Sequence, residues 1–449
     1  MKHLLPIAAA IASLFITTAH PQIITSTRLD LPPYDMAFDD DGFLTESDHS
    51  DDLSRVWDVA VVGNRIYGVG NIGGSVWISA RTEDGAADTS FGSLGTGQLD
   101  AELDAYRPKI AASQTHGTIL VADSGQLDYL HLARYDAATG TRDTSFVCDG
   151  ARGQECTEGR TRLHLMFGVY DLEDLELTDL ALDEARERIY LAVRGNSRSR
   201  GRFTCLVRLN WDGSFDTGFS GDGHIYEFSA DGDDTYAKVG VRSDGGSYTA
   251  GQTVKGGSEM FTVKGFTETG HADTRFGILG LKDIATFGSP TVAALRVDSS
   301  NRPVVVGDHD ATASRREFYA LRLTTAGDRD TTFNGTGYRT GAFVGSTSLR
   351  ESLEVTDAQL DGAGNLVLVG HRADEERNQY LGVARLTSSG ALDTAYSING
   401  SAQFDLHSNC WRIGSTSVAV DDHDRIVVGG WRLDDELSAD QGLFLRSGD

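Results

Sequence analysis

Proline is scarce in this 449-residue chain, at seven, while glycine is plentiful, at 52. That balance suits short strands joined by tight turns, where positive φ recurs. No long stretch places apolar residues at helical spacing, which argues against a helical fold. Positive charge is also in deficit. Forty Lys and Arg stand against 66 Asp and Glu, for a net charge of −26. A field of that sign repels nucleic acid and anionic membrane surfaces. Beyond the first residues no segment is apolar enough to cross a bilayer. The apolar fraction, 39%, suffices for a buried core.

Catalytic signatures are missing too. The twelve histidines are scattered, with no H-E-x-x-H or other metal-ligand spacing. There is no G-x-S-x-G elbow and no Gly-rich phosphate loop. Carboxylates are so numerous that nominating any pair as acid and base carries no information. No metal or cofactor is expected.

The first residues have the pattern of an export signal. Lys2 and His3 precede an apolar run from Leu4 to Ile16, broken only by Pro6 and Ser13, and Thr17-Thr18-Ala19 offers a cleavage point. The run is short for a membrane span. The expectation is a signal peptide over residues 1–19, a lead segment over 20–34 and one domain over 35–449. The mature protein is expected to be a soluble monomer, secreted or periplasmic. Export permits disulfides. Of the four cysteines, Cys148 and Cys156 share the loop-like VCDGARGQEC and are the expected pair. Cys205 lies in an apolar strand as a small buried side chain, and its pairing with Cys410 would need two distant repeats to meet.

What the chain has in abundance is one repeat. Asp-x-x-aromatic recurs as Asp35/Phe38, Asp88/Phe91, Asp143/Phe146, Asp216/Phe219, Asp273/Phe276, Asp330/Phe333 and Asp393/Tyr396. Successive aspartates are 53, 55, 73, 57, 57 and 63 residues apart, the long interval holding Cys148 and Cys156. Three strand-like runs precede the motif in each unit. The first includes VWDVAVV, PKIAAS, LTDLALD, AKVGVRS and VTDAQLD. The second includes RIYGVG, TILVAD, RIYLAV and RPVVVG. The third ends in arginine, as in VWISAR, YLHLAR and YLGVAR. A fourth run follows the motif. Seven units of four short antiparallel strands predict an all-β fold, a seven-bladed β-propeller. The last unit stops at its third strand, and the first motif copy has no strands before it. The N-terminal piece is therefore expected to supply the missing fourth strand, closing the ring and removing exposed edges.

EDGAADTSFGSLG, WDGSFDTGFSGDG and AGDRDTTFNGTG resemble the repeats of the delta-60 family, over nearly all of residues 35–449. That resemblance implies an exported bacterial propeller and no particular chemistry. Copy two diverges after Phe146, and copy six has Tyr396 in place of Phe.

Arg81, Arg134, Arg208, Arg322, Arg385 and Arg446 occupy one repeat position. The first five precede Asp88, Asp143, Asp216, Asp330 and Asp393 by 7 to 9 residues, and Arg446 would use Asp35. The expected role is structural: an Arg–carboxylate pair, or an Asp accepting turn amides, within each blade. Blade four breaks the rule, with Gly265 beside Lys264 ahead of Asp273. The alternative is a ring of ligand-binding charges. Asp39-Asp40-Asp41-Gly42 and Ser220-Gly221-Asp222-Gly223 do not fit a twelve-residue calcium loop and are read as turns.

Function should lie in what differs between blades. The loops between second and third strands vary most, and a propeller gathers them on one face. Candidate binding residues there are Arg198, Arg200, His309, Arg315, Arg316, His371, Arg372, Trp431 and Arg432. The favoured reading is a non-enzymatic binding or scaffold module for protein or glycan. The second reading is an extracellular polysaccharide hydrolase or lyase built from several blades. A central pocket with perturbed carboxylates or a His–carboxylate contact would favour the second.

Overall fold

The computed structural model describes residues 38, 43–46, 55–72, 75–92, 97–104, 107–125, 129–146, 154–167, 170–228, 235–285, 287–343, 352–373, 379–397, 399–404, 410–434 and 440–447. The expected signal peptide, the lead segment, Asp35, Cys148 and the acidic turn at 39–42 lie outside these residues, as does the Cys156 side chain.

The strands form seven antiparallel sheets set in a ring. Blade 1, typical of the set, runs Val56–Val62, Arg65–Ile72, Ser75–Arg81 and Gln98–Asp104 from the axis outward. The innermost strands of the other blades are Lys109–Ser113, Tyr170–Asp183, Thr235–Val241, Ala294–Val297, Ser352–Leu360 and Cys410–Val420. They touch in chain order, and the last touches Val56–Val62, so the ring is closed. Blade 7 takes its fourth strand from the other end of the chain. Phe43–Glu46 pairs antiparallel with Asp440–Ser447, with Phe43 opposite Leu445 and Glu46 opposite Gly442. The fold is a seven-bladed β-propeller.

Two blades exceed four strands. In blade 2 the insertion folds into a hairpin. Arg160–Leu163 takes the fourth position and Gln154–Thr157 adds a fifth strand outside it. Blade 3 has Met166–Phe167 at its inner edge. Among the described residues no helix is long and apolar enough to cross a membrane.

The core lies between blades. Val69, Ile78 and Phe91 of blade 1 pack with Ile119, Val121 and Tyr135 of blade 2, all fully buried. Each such side chain stabilises the ring by about 1.5–3 kcal/mol. Tyrosine at one second-strand position crosses the interface, the hydroxyls of Tyr67, Tyr190 and Tyr248 donating to carbonyls of Ala137, Gly245 and Asn301 in the next blade.

The repeated motif sits at the outer end of this interface. Asp330 Oδ1 accepts the Thr332 amide at 3.1 Å, and Asp330 Oδ2 takes Arg322 Nε at 2.8 Å. The guanidinium of Arg322 lies 4.8 Å from the Phe333 ring and donates to the Ser388 carbonyl of blade 6 at 2.6 Å. Arg134–Asp143 and Arg208–Asp216 repeat the pair at 2.7 and 2.8 Å, and Arg385–Asp393 is looser at 3.3 Å. The aromatic packs on the following blade's glycine turn. Gly390, at φ +81°, has no room for a Cβ because Phe333 lies within 2.8 Å of where it would stand.

Two pairings differ from expectation. In blade 1, Asp88 is met by Arg65 of the second strand at 2.9 Å, while Arg81 Nε donates to Ser79. In blade 4, Arg242 replaces the absent arginine, reaching Asp273 at 2.8 Å, and Arg275 adds a second cation. Second-strand arginines also serve Asp216 and Asp330, through Arg188 and Arg302, both at 2.7 Å. Ser220, Gly221 and Gly223 all have positive φ, as a tight turn requires. Cys205 is a buried free thiol whose pKa burial pushes up.

Candidate site at the mouth of the central channel

A propeller's innermost strands line its axis, and here one position of that strand recurs around the ring. The residues opposite Val69, Ala122, Ala192, Ala250, Val306, Val369 and Gly429 are Asp58, Lys109, Asp179, Lys238, Ala294, Asp357 and Ser417. The charge alternates through the first four. At the fifth, where Ala294 cannot carry charge, Arg296 two residues along reaches Asp357 at 2.8 Å and Gln359 at 2.8 Å. Three anions thus stand against three cations.

The ring is also stitched from blade to blade. Asp58 accepts the Ile110 amide at 3.1 Å, Asp179 that of Val239 at 2.9 Å, Asp357 that of Val418 at 3.1 Å, and Ser417 Oγ that of Val59 at 2.9 Å. Burial raises the Asp58 pKa above its ordinary value. Burial also works against charge on Lys109, but Asp58, Asp357 and Asp179 outweigh it and hold that ammonium above its ordinary value. At Lys238 burial wins and the pKa falls. Lys238 Nζ finds the Thr178 carbonyl at 3.4 Å. Lys109 makes no hydrogen bond or ion pair among the described residues.

Above this ring the channel opens into a cavity of about 760 Å³, within the range of small-ligand sites. Its walls are the first residues of the inner strands and the last of the second strands, which is the variable-loop side. Aromatic and cationic groups alternate along one wall. The Arg55 guanidinium lies 4.4 Å from the Trp431 ring and 5.5 Å from the Trp57 ring, and the Arg107 guanidinium lies 5.4 Å from the Trp57 ring. The indole Nε1 of Trp57 donates to Asn71, fixing that ring. The cavity also holds three carboxylates, each with a partner. Glu176 meets Arg194 at 2.5 Å, Asp308 meets Arg316 at 2.5 Å, and Glu354 meets His371 at 3.4 Å. His371 holds the Glu354 pKa below its ordinary value.

Of the nine loop residues proposed from sequence, Arg316, His371 and Trp431 reach this cavity. The other six do not line it. Arg372 and Arg432 occupy equivalent places and turn outward to glutamines, Arg372 to Gln403 of the fourth strand at 2.7 Å and Arg432 to Gln441 of the third at 2.9 Å. His309 is buried against Phe287, its ring 4.9 Å away, and burial lowers its pKa. Arg198 pairs with Glu173 at 2.9 Å, Arg315 with Glu317 at 3.0 Å, and Arg200 lies over Phe228. Sequence reasoning missed Arg55, Trp57, Arg107 and Lys109. The signal for Lys109 was a charged residue in the inner strand of PKIAAS, and for Trp57 an indole in VWDVAVV; Arg55 and Arg107 stand just before those runs.

Together the ring and the cavity above it define a propeller with a charge-plugged channel and one open, polar and aromatic mouth. No family model matches the sequence, and no curated protein matches it. Solved propellers resemble it in fold. The Dos1 propeller is 12% identical with a TM-score of 0.43, over 87% of this chain and 78% of that one. Sqt1 of Chaetomium thermophilum is 13% identical with a TM-score of 0.45, over 87% and 81%. The Nup133 propeller of Vanderwaltozyma polyspora is 8% identical with a TM-score of 0.38, over 85% and 91%.

Proposed function

We propose that this protein is an exported, non-enzymatic binding module of the delta-60-repeat kind that takes a glycan or protein group at the channel mouth. One observation carries the reading: the cavity places Trp57 and Trp431 beside Arg55 and Arg107 on a rigid ring. Apolar faces flanked by fixed polar groups bind without needing to move. Support for export is the apolar run Leu4 to Ile16 followed by the small residues Thr17-Thr18-Ala19. The test is a glycan array probed with purified protein and with Trp431→Ala. A signal lost in the variant supports the reading, and an unchanged signal refutes it.

The His371–Glu354 contact favours the second reading, a polysaccharide hydrolase or lyase. Against it, a general acid needs a carboxyl of raised pKa, and Glu354 is lowered. Asp308 and Glu176 are held by arginines. Release of reducing ends or unsaturated products from an array-positive polymer, abolished in His371→Ala, would establish it.

A further inference from the structure

We infer that the mouth is built for a carboxylated saccharide, with the carboxylate at Lys109 and the sugar face on the Trp57–Trp431 wall. This rests on the binding reading above and narrows its ligand class. The argument begins with which groups are already satisfied. Each wall carboxylate has an opposing cation or His371, and each ring aspartate accepts an amide from the next blade. Lys109 lines the cavity and is held in its charged form, yet no described group accepts its protons. Arg107, two residues before it, lies 4.0 Å from Glu176 with a side chain 59% exposed. An ammonium with open donors in a cavity favours an anionic ligand group, since charge-assisted hydrogen bonds are the strong ones.

The rest of the wall argues for a sugar acid over an acidic peptide. Glu176, Asp308 and Glu354 can accept hydroxyl protons, which a sugar ring offers and a glutamate side chain does not. The two indoles supply apolar faces beside them. A ring with many hydroxyls and one carboxylate satisfies all three demands.

The experiment is calorimetric titration of the wild-type protein with tri-galacturonate, its methyl ester, cellotriose and triglutamate. Tri-galacturonate should bind about tenfold more tightly than its ester, the worth of a charge-assisted contact. Its affinity should fall as salt is raised. Lys109→Met and Arg107→Gln should each weaken tri-galacturonate binding by a larger factor than they weaken any cellotriose binding. Arg107 is exposed, so its variant tests the idea even if Lys109→Met melts early. Equal binding of acid and ester, or no binding of the acid, overturns the carboxylate assignment. Tighter binding of triglutamate overturns the sugar. Neither result touches the broader reading, which stands or falls on the array signal of Trp431→Ala.

Discussion

Arg446 lies with its guanidinium 4.9 Å from the ring of Phe38, although the two residues come from opposite ends of the chain. The same guanidinium donates to the Glu83 carbonyl of blade 1. One side chain therefore ties together the last strand, the N-terminal segment and the first blade. Phe38 is fully buried among Val56, Val59, Val427 and Phe444. Phe38→Ala should cost about 3–5 kcal/mol, as in any well-packed core. Removing residues 1–46 should go further and leave the Asp440–Ser447 edge unpaired. Self-association detected by light scattering is the expected outcome, because open strand edges recruit other chains. A monomeric truncation with unchanged melting would show that the terminal strand is dispensable.

The Arg322–Asp330 pair allows a second measurement. Both side chains are buried, and Asp330 also holds Arg302 at 2.7 Å. Arg322→Met should cost about 2 kcal/mol, below the usual figure for breaking a buried pair because Arg302 remains. In a double-mutant cycle with Asp330→Asn, denaturant midpoints should give a coupling of about 1–2 kcal/mol. Zero coupling would mean that Asp330 acts through Arg302 and Thr332 without Arg322.

Much of this was written in the chain. Strand-like runs, seven copies of Asp-x-x-aromatic and incomplete first and last units specify the ring, because each feature is local or terminal. The second-strand arginines were equally visible in RIYGVG and RIYLAV, but their reach to Asp88 and Asp216 depends on twist within the blade. The channel mouth was less legible. Trp57 follows Arg55 by two residues, but Trp431 belongs to blade 7, and only closure brings it to Arg55. Arg372 looked like Arg316 in sequence, yet strand alternation sends it to Gln403 rather than to the axis.

Acid should expose the motif carboxylates. Arg275 holds the Asp273 pKa well below its ordinary 3.8, with Arg242 adding to it. At Asp330 burial alone would raise the value, but Thr332 and Arg322 outweigh it and lower it. Asp143 behaves likewise through Ser145 and Arg134. Each is depressed in the folded state, so the unfolded chain binds more protons between the two values. The stability they confer is full above 3.8 and is lost as pH falls toward the depressed values. Arg275→Gln should raise the Asp273 value and move acid unfolding to higher pH. Following Asp273 by NMR titration and unfolding by fluorescence tests both, and no movement of either would remove Arg275 from the account.

The axial ring gives the last test, because its charges are balanced rather than merely numerous. Asp58→Asn keeps an oxygen for the Ile110 amide but deprives Lys109 of its principal anion. The variant should lose about 2 kcal/mol near neutral pH, the cost of a buried charge left with weaker compensation. Its Lys109 pKa should fall below the ordinary 10.5. The unfolded chain then binds the extra proton, so the deficit should shrink as pH rises toward that value. Adding Lys109→Met should restore much of the loss, since neither charge remains to be compensated. Urea midpoints for wild type, the two single variants and the double variant decide the matter. If the double variant loses the sum of the single losses, the alternating charges are independent of one another. A double variant near wild type would show that Asp58 and Lys109 work as a pair, even though no hydrogen bond joins them.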